Sequence, residues 1–177
     1  HLGITDKQYE EIGVKFYSNS KEVINNSNLI LKVNCPTDEE IEILKEKSIL
    51  VGIFNPSKNQ DKLEKILKKN INIFSLELLP RISRAQSMDV LSSQSNLAGY
   101  RAVIESIYEF EKAIPMMMTA AGTVPAAKVL VIGAGVAGLQ AIATAKRLGA
   151  VVSATDVRAA SKEQVESLGG KFLTVEQ

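Results

Sequence analysis

The chain is short of reactive and aromatic side chains: one cysteine, one histidine, no tryptophan and 5% aromatics in 177 residues. A single cysteine, Cys35, excludes an internal disulfide framework and a cysteine-based zinc cage, and it suggests a reducing compartment. The single histidine is His1. A Ser-His-Asp triad, a Cys-His pair and a histidine-rich metal site are therefore excluded within the chain, and no metal is expected. No run approaches the ~20 apolar residues of a membrane span. The longest weakly polar stretch, 113–127, is interrupted by Thr119, Gly122, Thr123 and two prolines. Excess charge is missing too: the formal net charge is +1, which argues against a dedicated nucleic-acid binder. Without an initiator Met or a signal peptide, the sequence reads as the middle of something longer.

What remains is ordinary globular material, 45% hydrophobic and 23% charged, enough for one domain or two small or incomplete ones. The cations are unevenly divided. Residues 1–80 hold eleven of the sixteen lysines and no arginine, whereas Arg81, Arg84 and Arg101 lie close together. Either sparse arginines cluster by chance, or a planar fork is wanted there for carboxamide, carboxylate or phosphate.

Short apolar runs alternate with helical patterns, which predicts an α/β fold. Thr5 with Gln8 and Thr37 with Glu40 are capping boxes, and Ser20 is expected to cap a short helix through Val23 and Ile24. Strands are expected at 29–33, 49–54 and 71–76. A helix at 62–69 should turn Leu63, Ile66 and Leu67 inward and Lys62, Lys65, Lys68 and Lys69 to solvent. Strand, helix, strand, helix, strand is the pattern of a parallel sheet. After Leu79-Pro80, residues 87–111 read as one long helix connecting two lobes, and a loop follows. Its methionines at 116–118 are either an adhesive surface or packing filler. Gln86, Asp89 and Ser92 or Ser93 would share a helix face, as a site or merely as caps on a solvated surface.

Residues 128–156 carry the clearest signal. Lys128–Ile132 reads as a strand buried on both faces. Gly133, Ala134, Gly135, Val136, Ala137 and Gly138 follow as G-x-G-x-x-G, then a helix to Arg147 with Gly149 as its stop, and a second strand ending in Asp156. Gly133 allows the tight turn, Gly135 lets a pyrophosphate approach the backbone, and Gly138 lets helix and strand pack closely. Free amides near Val136 and Ala137 would meet the phosphates. Asp156, 21 residues beyond Gly135, would accept both ribose hydroxyls and repel a 2′-phosphate, favouring NAD(H) over NADP(H). Val157 and Arg158 border the same place, and Arg158 is a counter-signal, since an arginine can receive a 2′-phosphate. One more helix, at 161–167, and a strand at 171–175 complete only half of a Rossmann-type sheet.

Three segments resemble a known family: RISRAQSMDVLSSQSNLAGYR from Arg81, TAAGTVPAAKVLVIGAGVAGLQAIATAKRLGA from Thr119, and TDVRAASKEQVESLGGKF from Thr155. They look like the NAD(H)-binding component, alpha-subunit domain I, of proton-translocating NAD(P) transhydrogenase, apparently truncated at both ends. The likeness is close over 79–172 and weaker before. It implies two lobes, an N-terminal α/β lobe (1–80) and a partial Rossmann-type domain (128–177), joined through residues 81–127, with NAD(H) in the cleft. It also implies that Arg81, Ile82, Ser83, Gln86, Asp89 and Ser92 surround the nicotinamide and its phosphate: Arg81, Asp89 and Ser92 orienting the ring, Gln86 facing the NADP(H)-binding component. Hydride would pass directly from NADH to NADP⁺ on that partner, coupled to proton movement by a membrane-spanning component. The chain would be a homodimer, cytoplasmic and peripheral on the inner face of the plasma membrane, or on the matrix side in mitochondria. The alternatives are an alanine-dehydrogenase-like enzyme, in which Lys32 would bind the substrate carboxylate, and a truncated module without turnover. Against the first, reducing a keto acid wants a proton donor, typically histidine.

Overall fold

Apolar residues at alternate positions of three short strands bury one side of a parallel sheet in the first half of the chain. The computed structural model describes residues 3–174, so His1 and the Val175 end of the last expected strand lie outside the described residues. The chain divides into two compact units at the Asp89–Val90 bond.

The first unit begins with α1 (Asp6–Glu11) and α2 (Ser20–Asn25). It continues as β1 (Leu29–Lys32), α3 (Asp38–Ile43), β2 (Ile49–Gly52), α4 (Gln60–Leu67) and β3 (Asn72–Ser75). The strands pair in parallel in the order β1-β2-β3, with Leu29 opposite Ile49 and Ile49 opposite Asn72. Ile30 and Leu50 point to the helices and join Ile24, Ile41, Phe54, Ile66 and Ile71 in the core. Leu29, Leu31 and Phe74, one residue out of step, are exposed.

Both capping boxes form, at Thr5–Gln8 and Thr37–Glu40. Asn19, not Ser20, caps α2, its side chain accepting from the Glu22 amide at 2.9 Å. Asn and Ser are comparable caps, so composition does not choose between neighbours. Helix α4 ends at Leu67, which is 56% exposed and not turned inward as expected, and the lysines on and just after it are not simply a solvated face. Lys65 pairs with Asp38 at 2.7 Å, Lys62 reaches the Pro36 carbonyl at 3.2 Å, and Lys69 donates to the carbonyl of Ile41 at 2.7 Å. Lys69 thereby adds a charged donor to the last carbonyls of α3, at the negative end of its dipole.

The second unit opens with α5 (Val90–Phe110), followed by a hairpin of β4 (Met117–Thr119) and β5 (Gly122–Val124). Then come β6 (Lys128–Ile132), α6 (Val136–Arg147), β7 (Val151–Thr155), α7 (Ser161–Ser167) and β8 (Lys171–Phe172). Its sheet, in the order β6-β7-β8, is again parallel. Val103, Ile142, Ala145, Val152, Ala154 and Val165 form the centre of its core. Helix α5 packs on α6 at such close range that a Cβ on Gly99 would lie 2.1 Å from the Ala137 carbonyl oxygen.

Three expectations are corrected here. The long helix starts at Val90 rather than 87, because Ser83–Met88 is a 3-10 turn that ends at Asp89 with ψ 84°. The loop after it contains an antiparallel hairpin; Met116 just before it and Met118 within it are 62% and 82% exposed and so do not act as packing filler among the described residues. Among the described residues strand β6 is not covered on both faces: it lies at the edge of the three-stranded sheet, with Leu130 57% and Ile132 81% exposed. Among the described residues no helix is long and apolar enough to cross a membrane.

Candidate functional site

The chemistry of the second unit gathers at the carboxyl ends of its strands, where open parallel sheets hold ligands. Gly133 leaves β6 with φ +94°, a conformation that disfavours a side chain, and its amide donates to the Thr155 carbonyl at 2.8 Å. Gly138 is required for a different reason. A Cβ there would lie 1.8 Å from the Gly133 carbonyl oxygen, so a side chain would force the first turn of α6 off the loop. Gly135 has an ordinary extended backbone, and a Cβ added to it meets nothing within 4 Å. It is the N-cap of α6 and supplies no capping side chain. The first amides of this 12-residue helix, those of Val136 and Ala137 among them, thus have no side-chain cap at the positive end of its dipole.

Beside this turn is a hollow of about 660 Å³, lined by Ile132, Gly133, Thr155, Asp156, Lys162 and Phe172. Lys162 and Phe172 are not evident from the motif; only their places, on the helix after the second strand and at the end of the third, could have indicated them. The floor of the hollow is set by Asp156. Its Oδ2 accepts from the Ala134 amide at 2.7 Å, tying the acid at the end of β7 to the glycine turn 22 residues away. The Arg158 backbone amide donates to Oδ1 at 2.8 Å, and the Arg158 side chain donates from Nε to Oδ1 at 2.9 Å and from Nη2 to Oδ2 at 3.0 Å. The Asp156 side chain is 6% exposed, that of Arg158 61%. The Arg158 guanidinium and the two amides hold the Asp156 carboxyl far below the usual carboxylate range, so it is ionised throughout physiological pH. Val157 between them is 95% exposed. Arginine and aspartate therefore form one group here, and not two independent preferences.

The Arg81 segment has a different local structure. The Ile82 amide donates to the Pro80 carbonyl at 2.9 Å, and Ala85 is buried, anchoring the 3-10 turn. Arg81, Ile82, Ser83 and Gln86 are exposed, while Asp89 and Ser92 are half-buried. Because the chain passes from a 3-10 turn to an α-helix at Asp89, Gln86, Asp89 and Ser92 do not share one continuous helix face. Arg81, Gln86 and Asp89 belong to the first unit and Ser92 to the second.

The first unit has its own polar strand ends. Lys32 pairs with Glu40 at 2.8 Å, and Glu40 also accepts from the Thr37 amide at 2.8 Å to close the capping box. The Lys32 ammonium is thus committed to a structural partner. Glu77 accepts from the Phe54 amide at 2.8 Å and from the Asn55 amide, fixing the turn after β2 where Asn55 has φ +46°. Burial opposes ionisation of Glu77, but hydrogen bonds from backbone amides outweigh it and hold its carboxyl below the ordinary value.

Comparison with known proteins accords with this geometry. Residues 1–98 match the family "Alanine dehydrogenase/PNT, N-terminal domain", and residues 102–177 match "Alanine dehydrogenase/PNT, C-terminal domain". The chain is 56% identical to the first of the polypeptides that make up NAD(P) transhydrogenase subunit alpha in Rhodospirillum rubrum, over 98% of this chain and 46% of that protein. It is 53% identical to the protein of the same name from Rickettsia prowazekii, over 99% and 47%. The crystal structure of a transhydrogenase from Sinorhizobium meliloti superposes with a TM-score of 0.90 at 54% identity, covering 99% of this chain and 50% of that one. The chain spans about half the length of the curated relatives it matches.

Proposed function

The chain belongs to the alanine dehydrogenase/PNT family, and from that premise we propose that it is NAD(H)-binding material of a proton-translocating NAD(P) transhydrogenase. The observation that carries the reading is the pairing of an uncapped α6 N-terminus with an aspartate tied to the same glycine turn. The amides following Gly135 suit a diphosphate, and the hollow beside Asp156 suits the adenosine. Gly133, Ala134, Gly135, Val136, Ala137, Gly138, Asp156 and Val157 are the proposed binding residues, with Arg158 at their border. Arg81, Ile82, Ser83, Gln86, Asp89 and Ser92 are proposed to orient the nicotinamide, with Gln86 toward the NADP(H)-binding partner.

Hydride transfer between a dihydronicotinamide and a pyridinium creates no alkoxide, so the residues around the ring have no proton to deliver. Their work is to hold the ring at reacting distance and to exclude water. That agrees with a chain whose histidine count is one. The proposed assembly is a homodimer with an NADP(H)-binding and a membrane-spanning component, at the inner face of the plasma membrane or the mitochondrial matrix side. An alanine dehydrogenase reading has less support, because the lysine it needs, Lys32, is engaged by Glu40.

The test is reconstitution of the chain with both partner components, following hydride transfer from NADPH to an NAD⁺ analogue, beside an assay of alanine formation from pyruvate, ammonia and NADH. The expected result is transhydrogenation without alanine formation. Alanine formation would overturn the proposal. Saturable NADH binding without turnover, alongside an active longer chain, would identify a binding module.

A further inference from the structure

The four hydrogen bonds on Asp156 leave no acceptor position for a ribose. An ionised carboxylate offers about four lone-pair sites, and the Ala134 amide, the Arg158 amide, Nε and Nη2 fill them. The two backbone donors belong to the turn geometry and stay. The two side-chain donors form a planar fork, one on each oxygen, at 2.9 and 3.0 Å. A vicinal diol presents the same pattern: two parallel hydroxyl donors, one for each carboxylate oxygen. The guanidinium is 61% exposed and rooted two residues from the acid, so it can swing outward without moving β7 or the glycine turn.

We propose that Arg158 is a built-in competitor for the ribose diol, an affinity-setting residue whose guanidinium occupies Asp156 until the two sugar hydroxyls replace it. This rests on the NAD(H) reading of the site. It also resolves the opposing signals in the sequence. An arginine two residues past the acid does not by itself recruit a 2′-phosphate here, because its charge is taken up by the aspartate. Nucleotide binding exchanges one donor pair for another on a fixed carboxylate, so the latch lowers affinity for every ligand that brings a free diol and leaves diol-less ligands unaffected.

The experiment compares wild type, Arg158→Met and Asp156→Asn by calorimetric titration with NADH, ADP and 2′,3′-dideoxy-ADP. Methionine keeps the apolar stem and removes the fork. Solvent-screened ion pairs shift equilibria by between about 1.5-fold and 5-fold, and this one is screened, its Arg158 side chain being 61% exposed. Arg158→Met is expected to tighten NADH and ADP binding within that range and to leave dideoxy-ADP unchanged, while Asp156→Asn weakens NADH. Unchanged or weaker NADH binding in Arg158→Met, with Asp156→Asn still weakened, would overturn the latch and leave the NAD(H) reading standing. Equal tightening of dideoxy-ADP would overturn it as well, since the guanidinium would then act on something other than the diol. Unchanged NADH affinity in Asp156→Asn would remove the diol reading itself, and the latch with it.

Discussion

The two units share one sheet topology, and the start of the first crossover helix sets them apart. Each is a three-stranded parallel sheet in sequential order with a crossover helix after its first strand. In each, an acid from a later strand end reaches amides of an earlier turn: Glu77 to Phe54 and Asn55, Asp156 to Ala134. What differs is the start of the crossover helix. In the first unit, Thr37 and Glu40 close a capping box over the N-terminus of α3. In the second, Gly135 leaves the N-terminus of α6 without any side-chain cap. A capped terminus is satisfied by its own chain, and an uncapped one has donors to offer a ligand. The proposed binding capacity comes from a stabilising feature left out.

The comparison breaks most severely if the second turn is made to resemble the first. Gly135→Asp would place a carboxylate over the α6 amides, where there is room for it. NADH affinity is expected to fall by roughly 100-fold, through occupation of the donors and repulsion of the diphosphate, while the helix keeps its fold. Calorimetry and circular dichroism check the two halves of that statement. Gly138→Ala tests packing in the same turn: a Cβ 1.8 Å from the Gly133 oxygen is expected to destabilise the second unit by about 3 kcal/mol in urea denaturation.

The paired acids sharpen the comparison through pH. Glu77 is held below the ordinary carboxylate value in the folded unit. A folded value below the unfolded one means its contribution is present above the unfolded value and is lost as pH falls through the folded one. Glu77→Gln is expected to cost about 1 kcal/mol at neutral pH and to flatten the acid limb of the stability curve below the ordinary glutamate range. Denaturation midpoints between neutral and acid pH measure it. Smallest is the reverse experiment. Thr37→Ala opens the capped terminus at a cost of about 1 kcal/mol, with NADH affinity unchanged because no glycine turn or ribose-binding acid accompanies it.

Local chemistry is legible in the sequence, and tertiary choices are not. The capping boxes at Thr5 and Thr37, the helix at Ser161–Ser167 and the glycine turn all follow from interactions within four or five residues, and all appear where expected. The exposed face of β6 depends on which layers surround the strand, and five apolar-rich residues look alike under either arrangement. The lysines on and just after α4 look solvated in sequence because their partners, Asp38 and the Pro36 and Ile41 carbonyls, lie more than twenty residues earlier. The hairpin at Met117–Val124 is hidden by a turn without Asn-Gly or Asp-Gly, closed instead by Gly122 at φ +129° and the Thr119 hydroxyl. At the site, Asp156 and Arg158 are each visible, but their mutual pairing is a matter of rotamer, which spacing does not determine.

An amide-resolved NMR titration of the isotope-labelled chain with NADH reaches the centre of the account. The two helix termini, one capped and one open, serve as each other's control in a single sample. The largest shifts are expected at Gly133 through Gly138 and at Asp156 to Arg158, with Thr37 through Glu40 at the α3 terminus unmoved. Shifts centred on the capped terminus, or saturation with no movement at the α6 amides, would contradict it.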